Sequence, residues 1–214
     1  KRQRIIDAAI QKFAERGYRD APVSEIAKLA NVADGTIYNY FDGKEHLLLC
    51  IFEEKMQEII VELQARLQTI ESATERIRAF IEHHFWQLER NPALAQVFQV
   101  ELRQSQRFYR GYRPQKLFDY LAILGDTIRE GQLKGELNDR IHAQTLQWSI
   151  FGALDEISIQ WVLASSWQRR NEHREASEGQ QRQDFWGFEP ETIAKPSLLA
   201  EKVYHVFLTG LLVA

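Results

Sequence analysis

Cysteine is almost missing from this chain: Cys50 stands alone, which excludes an internal disulfide and fits a reducing compartment. Prolines number five and glycines eleven in 214 residues, too few to break the chain into short strands and turns. No apolar run approaches the ~18 residues that a membrane span requires, and no signal-peptide pattern opens the chain. A soluble, cytoplasmic protein with no membrane partner is expected. An excess of one charge is missing too. The net charge of −3 argues against a protein that coats nucleic acid without regard to sequence, but leaves room for a local basic face. Residues 1–46 hold eight basic and seven acidic side chains, +1, which leaves −4 for the remainder.

What is present is helical periodicity. Hydrophobic residues make up 44% and charged residues 27%, enough to build a core and too apolar for disorder. In Arg2–Arg16, Ile5, Ile6, Ala9, Ile10 and Phe13 share one face, and Gly17 ends the helix. Ser24 is placed to cap a second helix over residues 24–30 that buries Ile26, Ala27 and Ala30. After the turn Asn31-Val32-Ala33-Asp34, Asp34 is placed to cap a third helix over 35–41, and Asp42-Gly43 breaks it. A long helix over 44–69 follows, with Leu47, Leu48, Ile51, Phe52, Ile59, Leu63 and Leu67 inward. Further helices are predicted at 72–90, 92–105, 114–131, 138–165 and 197–212, with Pro92 at a first helical position. Residues 167–196 read as a polar, mobile loop that Phe185, Trp186 and Phe188 pin to the body. The fold class is therefore all-α.

The stretch 35–47, G-T-I-Y-N-Y-F-D-G-K-E-H-L, carries the most chemistry. Two short helices joined by a turn of about four residues fit helix-turn-helix geometry, the second lying in the major groove. Gly35, Thr36, Tyr38 and Asn39 follow directly from the turn. Asn pairs bidentately with adenine, and the Thr methyl meets a thymine methyl. The hydroxyls of Tyr38, Tyr40 and Ser24 and the ammonium of Lys44 suit phosphates, which position without specifying. Ile37 and Phe41, four apart, face the small core.

These fifty residues resemble the DNA-binding domain of TetR-family transcriptional regulators. The matching residues are I-I-D-A-A-I-Q-K-F-A-E-R-G-Y, followed by V-S-E-I-A-K-L-A-N-V-A-D-G-T-I-Y-N-Y-F-D-G-K-E-H-L-L. The resemblance implies a three-helix DNA-binding domain over 1–46 and a larger helical ligand-binding and dimerisation domain over 47–214. It further implies a homodimer reading a palindromic double-stranded operator, with the last two helices of each copy at the interface. On the first of these, Leu146, Ile150, Leu154, Ile157 and Trp161 share a face at helical spacing and are the expected contact.

Two segments, N-P-A-L-A-Q-V-F-Q-V-E-L-R-Q-S at 91–105 and G-A-L-D-E at 152–156, look like the fatty-acid-degradation (FadR-type) branch. That branch implies repression of fatty-acid metabolism genes, released by a small hydrophobic effector, long-chain acyl-coenzyme A or fatty acid, and no resident cofactor. Phe98, Leu102, Phe108, Tyr109, Tyr112, Phe118, Tyr120, Leu121, Trp148 and Phe151 could line an apolar tunnel for it, with Gly152 and Asp155 beside them. Arg103, Arg107, Arg110 and Arg113 could hold a head group with several phosphates. A second option keeps the DNA head and gives the pocket another hydrophobic or aromatic ligand, as in an efflux regulator.

An enzyme is not expected. Glu82-His83-His84 is the best metal seed, but adjacent histidines diverge on a helix and lack the i, i+4 partner that helical zinc sites use. No phosphate-binding loop, dinucleotide turn or nucleophile elbow occurs, and Cys50 on an apolar helix reads as an inert thiol.

Overall fold

The computed structural model describes residues 1–105, 108, 111–178 and 195–207, with backbone alone for 168–178. Among these residues every regular element is a helix: α1 Arg2–Arg16, α2 Val23–Leu29, α3 Asp34–Tyr38, α4 Lys44–Leu67, α5 Ala73–Arg90, α6 Pro92–Gln96, α7 Gln115–Leu133, α8 Ala143–Glu178 and α9 Leu198–Phe207. No described helix is long and apolar enough to cross a membrane. The chain forms two compact units, Lys1–Glu62 with Asn91–Tyr120, and Leu63–Arg90 with Leu121–Ala214. Helices α4 and α7 contribute to both.

In the first unit the periodicity of α1 holds: Ile5, Ile6, Ala9, Ile10 and Phe13 are all buried. They pack on α2, α6 and the turns after α6. Gly17 closes α1 at φ +83°, its amide donating to Phe13 O, a left-handed backbone that glycine adopts without a Cβ penalty. Helix α2 begins one residue before the predicted cap. Pro22 holds the extended N-cap position at φ −72°, so Ser24 falls inside the first turn and caps nothing. At its far end the Asn31 amide donates to Lys28 O and the Val32 amide to Ala27 O, with Asn31 itself at φ +52°. That paired closure needs one left-handed residue, and Asn is the best non-glycine choice. Ala33, not Asp34, is the N-cap of α3.

The helix predicted over 92–105 is interrupted. Asn91 caps α6 by accepting from the Leu94 amide, and Pro92 opens it. Beyond Gln96 the backbone widens into a π turn at Val97–Glu101 and tightens into a 3₁₀ turn at Leu102–Gln104. Such wide turns are rare and concentrate at functional places.

In the second unit α5 packs on α9 and α8, and α8 on α9. The first amide of α5 has no intrahelical acceptor; the Glu136 carboxylate takes it, Ala73 N to Oε2 at 2.7 Å, and accepts from Ser72 Oγ as well. Arg76 pairs with Glu130 at 2.8 Å, and the Arg78 guanidinium lies 4.4 Å from the Tyr204 ring centroid. Helix α8 corrects two expectations. It continues to Glu178, so residues 167–178 are not loop; Phe185, Trp186 and Phe188 lie outside the described residues. The stripe expected to meet a partner is also largely covered within the chain, with Leu146, Ile150, Leu154 and Trp161 at 4% exposure or less and Ile157 half-buried. The open face of α8 is a different one: Trp148 and Trp167 are 45% and 40% exposed, with Gly152 and Glu156 exposed between them.

Candidate nucleic-acid interface and effector lining

Helix α3 is short, and its two faces differ sharply. Ile37 and Phe41 are each 1% exposed, the predicted seam to the small core. Tyr38 is 59% and Tyr40 41% exposed, with Gly35, Asn39 and Ser24 exposed and Thr36 half-buried. Two aromatic rings held outward beside an amide, on a helix anchored by Ile37, are poor packing for water. They suit a groove, where ring edges and hydroxyls find sugar, phosphate and base edges. A Cβ built on Gly35 meets no atom within 4 Å, so nothing in the unit's packing requires a glycine there.

Lys44, expected at a phosphate, is held from behind by the backbone. Its ammonium donates to Arg19 O at 2.8 Å and Ala21 O at 3.2 Å and lies 5.1 Å from the Tyr18 ring centroid. The cation from the start of α4 thereby holds the α1–α2 turn with two of its three N–H donors. At the other end of α1, Arg2 pairs with Glu54 and stacks 5.2 Å from the Phe41 ring centroid, tying α1 to α4 and to the turn after α3 at once. Free Cys50 is half-buried, and burial pushes its thiol up, away from the thiolate that chemistry needs.

Behind the head, the first unit gathers an aromatic wall. Phe52, 4% exposed, has the rings of Phe98, Phe108 and Tyr112 around it at 5.4, 5.6 and 6.3 Å. Sequence reading placed Phe52 in the helix core and missed it as the centre of this wall; nothing local in α4 distinguishes it. Leu102 and Tyr120 are 3% exposed, and burial pushes the Tyr120 hydroxyl far up. Phe118 is 42% exposed and stands outside the wall. Arg103 is exposed and donates to Gln99 Oε1 at 3.1 Å. Arg113, with His46, Leu49, Cys50, Glu53, Gly111 and Tyr112, lines a cavity of about 280 Å³. Arg107, Tyr109 and Arg110 lie outside the described residues.

In the second unit Leu121 is buried at 1% and Phe151 half-buried, its ring 6.1 Å from Trp148. Trp148 and Gly152 take the exposed side of α8, where they do not wall the interior of this unit. Asp155 is close enough to act on His84. The two adjacent histidines engage different partners, as their spacing requires: His83 meets Gln87 and Trp86, and His84 meets Ser158 at 3.0 Å. Ser158 Oγ already donates its hydrogen to Leu154 O at 2.6 Å, so His84 Nε2 is the donor of the pair. Burial holds His84 down at about 4 against the opposing pull of Asp155. The ring is neutral at pH 7, with its proton on Nε2. Ser158 is 0% exposed and its hydroxyl is committed to the helix, which removes it as a nucleophile although His and Asp stand near.

Residues 5–51 match the family described as bacterial regulatory proteins, tetR family, and residues 52–170 match that described as YsiA-like protein, C-terminal region. The fatty acid metabolism regulator protein of Bacillus subtilis (strain 168) is 40% identical over 163 residues, which cover 76% of this chain and 84% of that one. Among solved structures, the transcriptional regulator FadR from Bacillus subtilis in complex with stearoyl-CoA is 32% identical, with a TM-score of 0.81 over 99% of this chain and 100% of that one. The fatty acid degradation regulator FadR from Bacillus halodurans is also 32% identical, with a TM-score of 0.77 over the same shares. These relatives are regulators, not enzymes. With both stretches matched in chain order, and a 40% identical relative spanning 76% of its length, the chain belongs to the TetR family of bacterial transcriptional regulators.

Proposed function

We propose that this protein represses fatty-acid metabolism genes from a palindromic operator, in the cytoplasm, and is released from the DNA by long-chain acyl-coenzyme A. The observation that carries this is the likeness, over 99% of the chain, to a FadR solved with stearoyl-CoA bound. The local chemistry agrees with it. The wall of Phe52, Phe98, Phe108 and Tyr112 suits an acyl chain, and the exposed Arg103 and Arg113 suit a phosphorylated head group.

On the DNA side Asn39 and Thr36 read base edges. Tyr38, Tyr40 and Ser24 hold phosphates, Gly35 permits close approach, and Lys44 keeps the α1–α2 turn in place behind them. Two such heads belong to a homodimer, and the exposed face of α8, Trp148 and Gly152 through Trp167, is the surface we assign to the second copy. The effector acts by population shift: it favours a body conformation in which the two recognition helices no longer match successive grooves, to the extent of its differential affinity for the two states.

The test is a mobility shift with an operator that the protein itself selects from random duplexes. Stearoyl-CoA should release the duplex at stoichiometric ratios. DNA that stays bound at saturating stearoyl-CoA refutes the effector, and no preference for any palindrome refutes the operator.

A further inference from the structure

We propose that Glu101 is the positioning residue through which the effector-lining segment holds the helix-turn-helix in its DNA-binding pose; the proposal rests on the effector reading above for what moves that segment. Glu101 is 3% exposed. One carboxylate oxygen accepts from the Tyr18 amide at 2.6 Å and from Gln104 Nε2 at 3.1 Å, and the other from Gln96 Nε2 at 3.2 Å. All three donors are neutral. A carboxylate buried this way is costly unless its acceptor sites are filled, and an apolar residue of the same size would pack there without that cost. Stability alone therefore gives no reason for a Glu.

Its partners give one. Two donors belong to its own segment, but the third and closest is the first amide beyond Gly17, outside α1 and at the start of the turn to α2. From the opposite side, Lys44 takes Arg19 O and Ala21 O of the same turn. Residues 18–21 are thus held by an anion from the π turn and a cation from α4, each through charge-assisted bonds. The turn delivers Pro22, which starts α2; α2 ends in the Asn31 closure, and Ala33 two residues on is the N-cap of α3. A second mooring lies nearby: Ser105, 1% exposed, donates to Glu45 Oε1 at 2.7 Å. Between the two moorings and just before them, the same stretch of backbone carries Leu102 and Phe98 of the lining. Pressure on those side chains reaches the α1–α2 turn through Glu101 with no other element between.

The test uses the full-length protein, the self-selected operator and stearoyl-CoA, with amide exchange read residue by residue. In Glu101→Ala the amides of residues 18–21 should exchange at least tenfold faster and operator Kd should rise about tenfold, the scale of one lost charged hydrogen bond. Exchange in α5 and α8 should stay at wild-type rates. Glu101→Gln, which still offers an oxygen to the Tyr18 amide, should recover affinity to within about threefold. In the wild type, stearoyl-CoA should speed exchange at 18–21, and in Glu101→Ala it should add nothing there. Wild-type exchange or affinity in Glu101→Ala overturns the proposal, as does faster exchange throughout the molecule with no rescue by Gln. Stearoyl-CoA that releases DNA without touching residues 18–21 overturns the coupling while the effector stands. Stearoyl-CoA that releases nothing, with Glu101→Ala behaving as expected, overturns the effector and leaves the positioning role intact.

Discussion

The first unit buries a carboxylate and the second half-buries an imidazole between helices, and the two are satisfied in opposite ways. Glu101 lies at a joint, bonded to a backbone amide 83 residues away in sequence. His84 lies between packed helices, neutral, bonded to a serine whose own hydrogen is already committed. Breaking the Glu101 contact should alter what the head does before it alters whether the unit folds. Breaking the His84 contact should do the reverse. If Glu101 acts as proposed, polar groups inside this protein have two separate uses, one in transmission and one in closing a core. The same contrast runs through its glycines: Gly131 is packed against neighbours and Gly35 faces open space.

The sharpest break in the comparison is acid. His84 is held at about 4 against an ordinary 6.5, so between those values the unfolded chain binds a proton that the folded chain refuses. Stability from this group is complete above about pH 6.5 and falls as the pH drops toward 4, by ~3 kcal/mol in all. Urea melts at about pH 7 and 4.5 should show the loss, and His84→Gln should flatten it. An unchanged slope in that variant would remove His84 from the account.

Next in size is Gly131→Ala. A methyl there would stand 2.6 Å from Ala73 Cβ, which has no rotamer to give way, and 2.7 Å from Leu137 Cδ1, and should cost about 2 kcal/mol. A thermal melt within a degree of wild type would show that α5 and α7 yield more easily than their packing implies.

Two helix ends compare more finely. Helix α7 stops as α2 does, with the Gly135 amide on Gln132 O and the Glu136 amide on Gly131 O, at φ +73°. Asn31→Ala and Gly135→Ala should each cost about 1 kcal/mol, and Asn31→Gly should be neutral or slightly stabilising. Chemical denaturation decides it; a harmless Asn31→Ala would mean that α2 ends some other way in solution.

Smallest, and opposite in sign, is Gly35→Ala. With open space around it, the methyl should leave stability unchanged or raise it by up to ~1 kcal/mol, while weakening operator binding. A variant that is more stable and binds DNA as well as wild type would remove the close-approach role.

Much of this was legible in the sequence. Helical period placed Ile37 and Phe41 inward and Tyr38, Asn39 and Tyr40 outward, because one short helix between a core and water leaves few alternatives. The order of helices was legible for the same reason. The cap at Ser24 was misplaced because Pro22, its φ fixed by the ring and its missing amide no loss at a helix start, takes the N-cap position two residues earlier. Residues 167–178 were read as loop on polarity, yet they hold neither proline nor glycine, and charged residues of this kind are good helix formers. The π turn left no trace, since one extra residue in a turn changes no composition. It shifts every later side chain by about 100° around the axis, which is why Glu101 escaped notice. On α8 the apolar stripe Leu146–Trp161 runs beside a second, mixed stripe of Trp148, Gly152, Glu156 and Trp167. Period alone cannot say which one the chain covers for itself.

That second stripe gives the protein an optical gauge of its own. Two of the chain's five tryptophans stand on it, nearly half open to water, and an indole in water emits at longer wavelength than one surrounded by carbon. Dilution of the purified protein should therefore be visible as a change of colour in its native emission, with no label attached, wherever assembly covers that side.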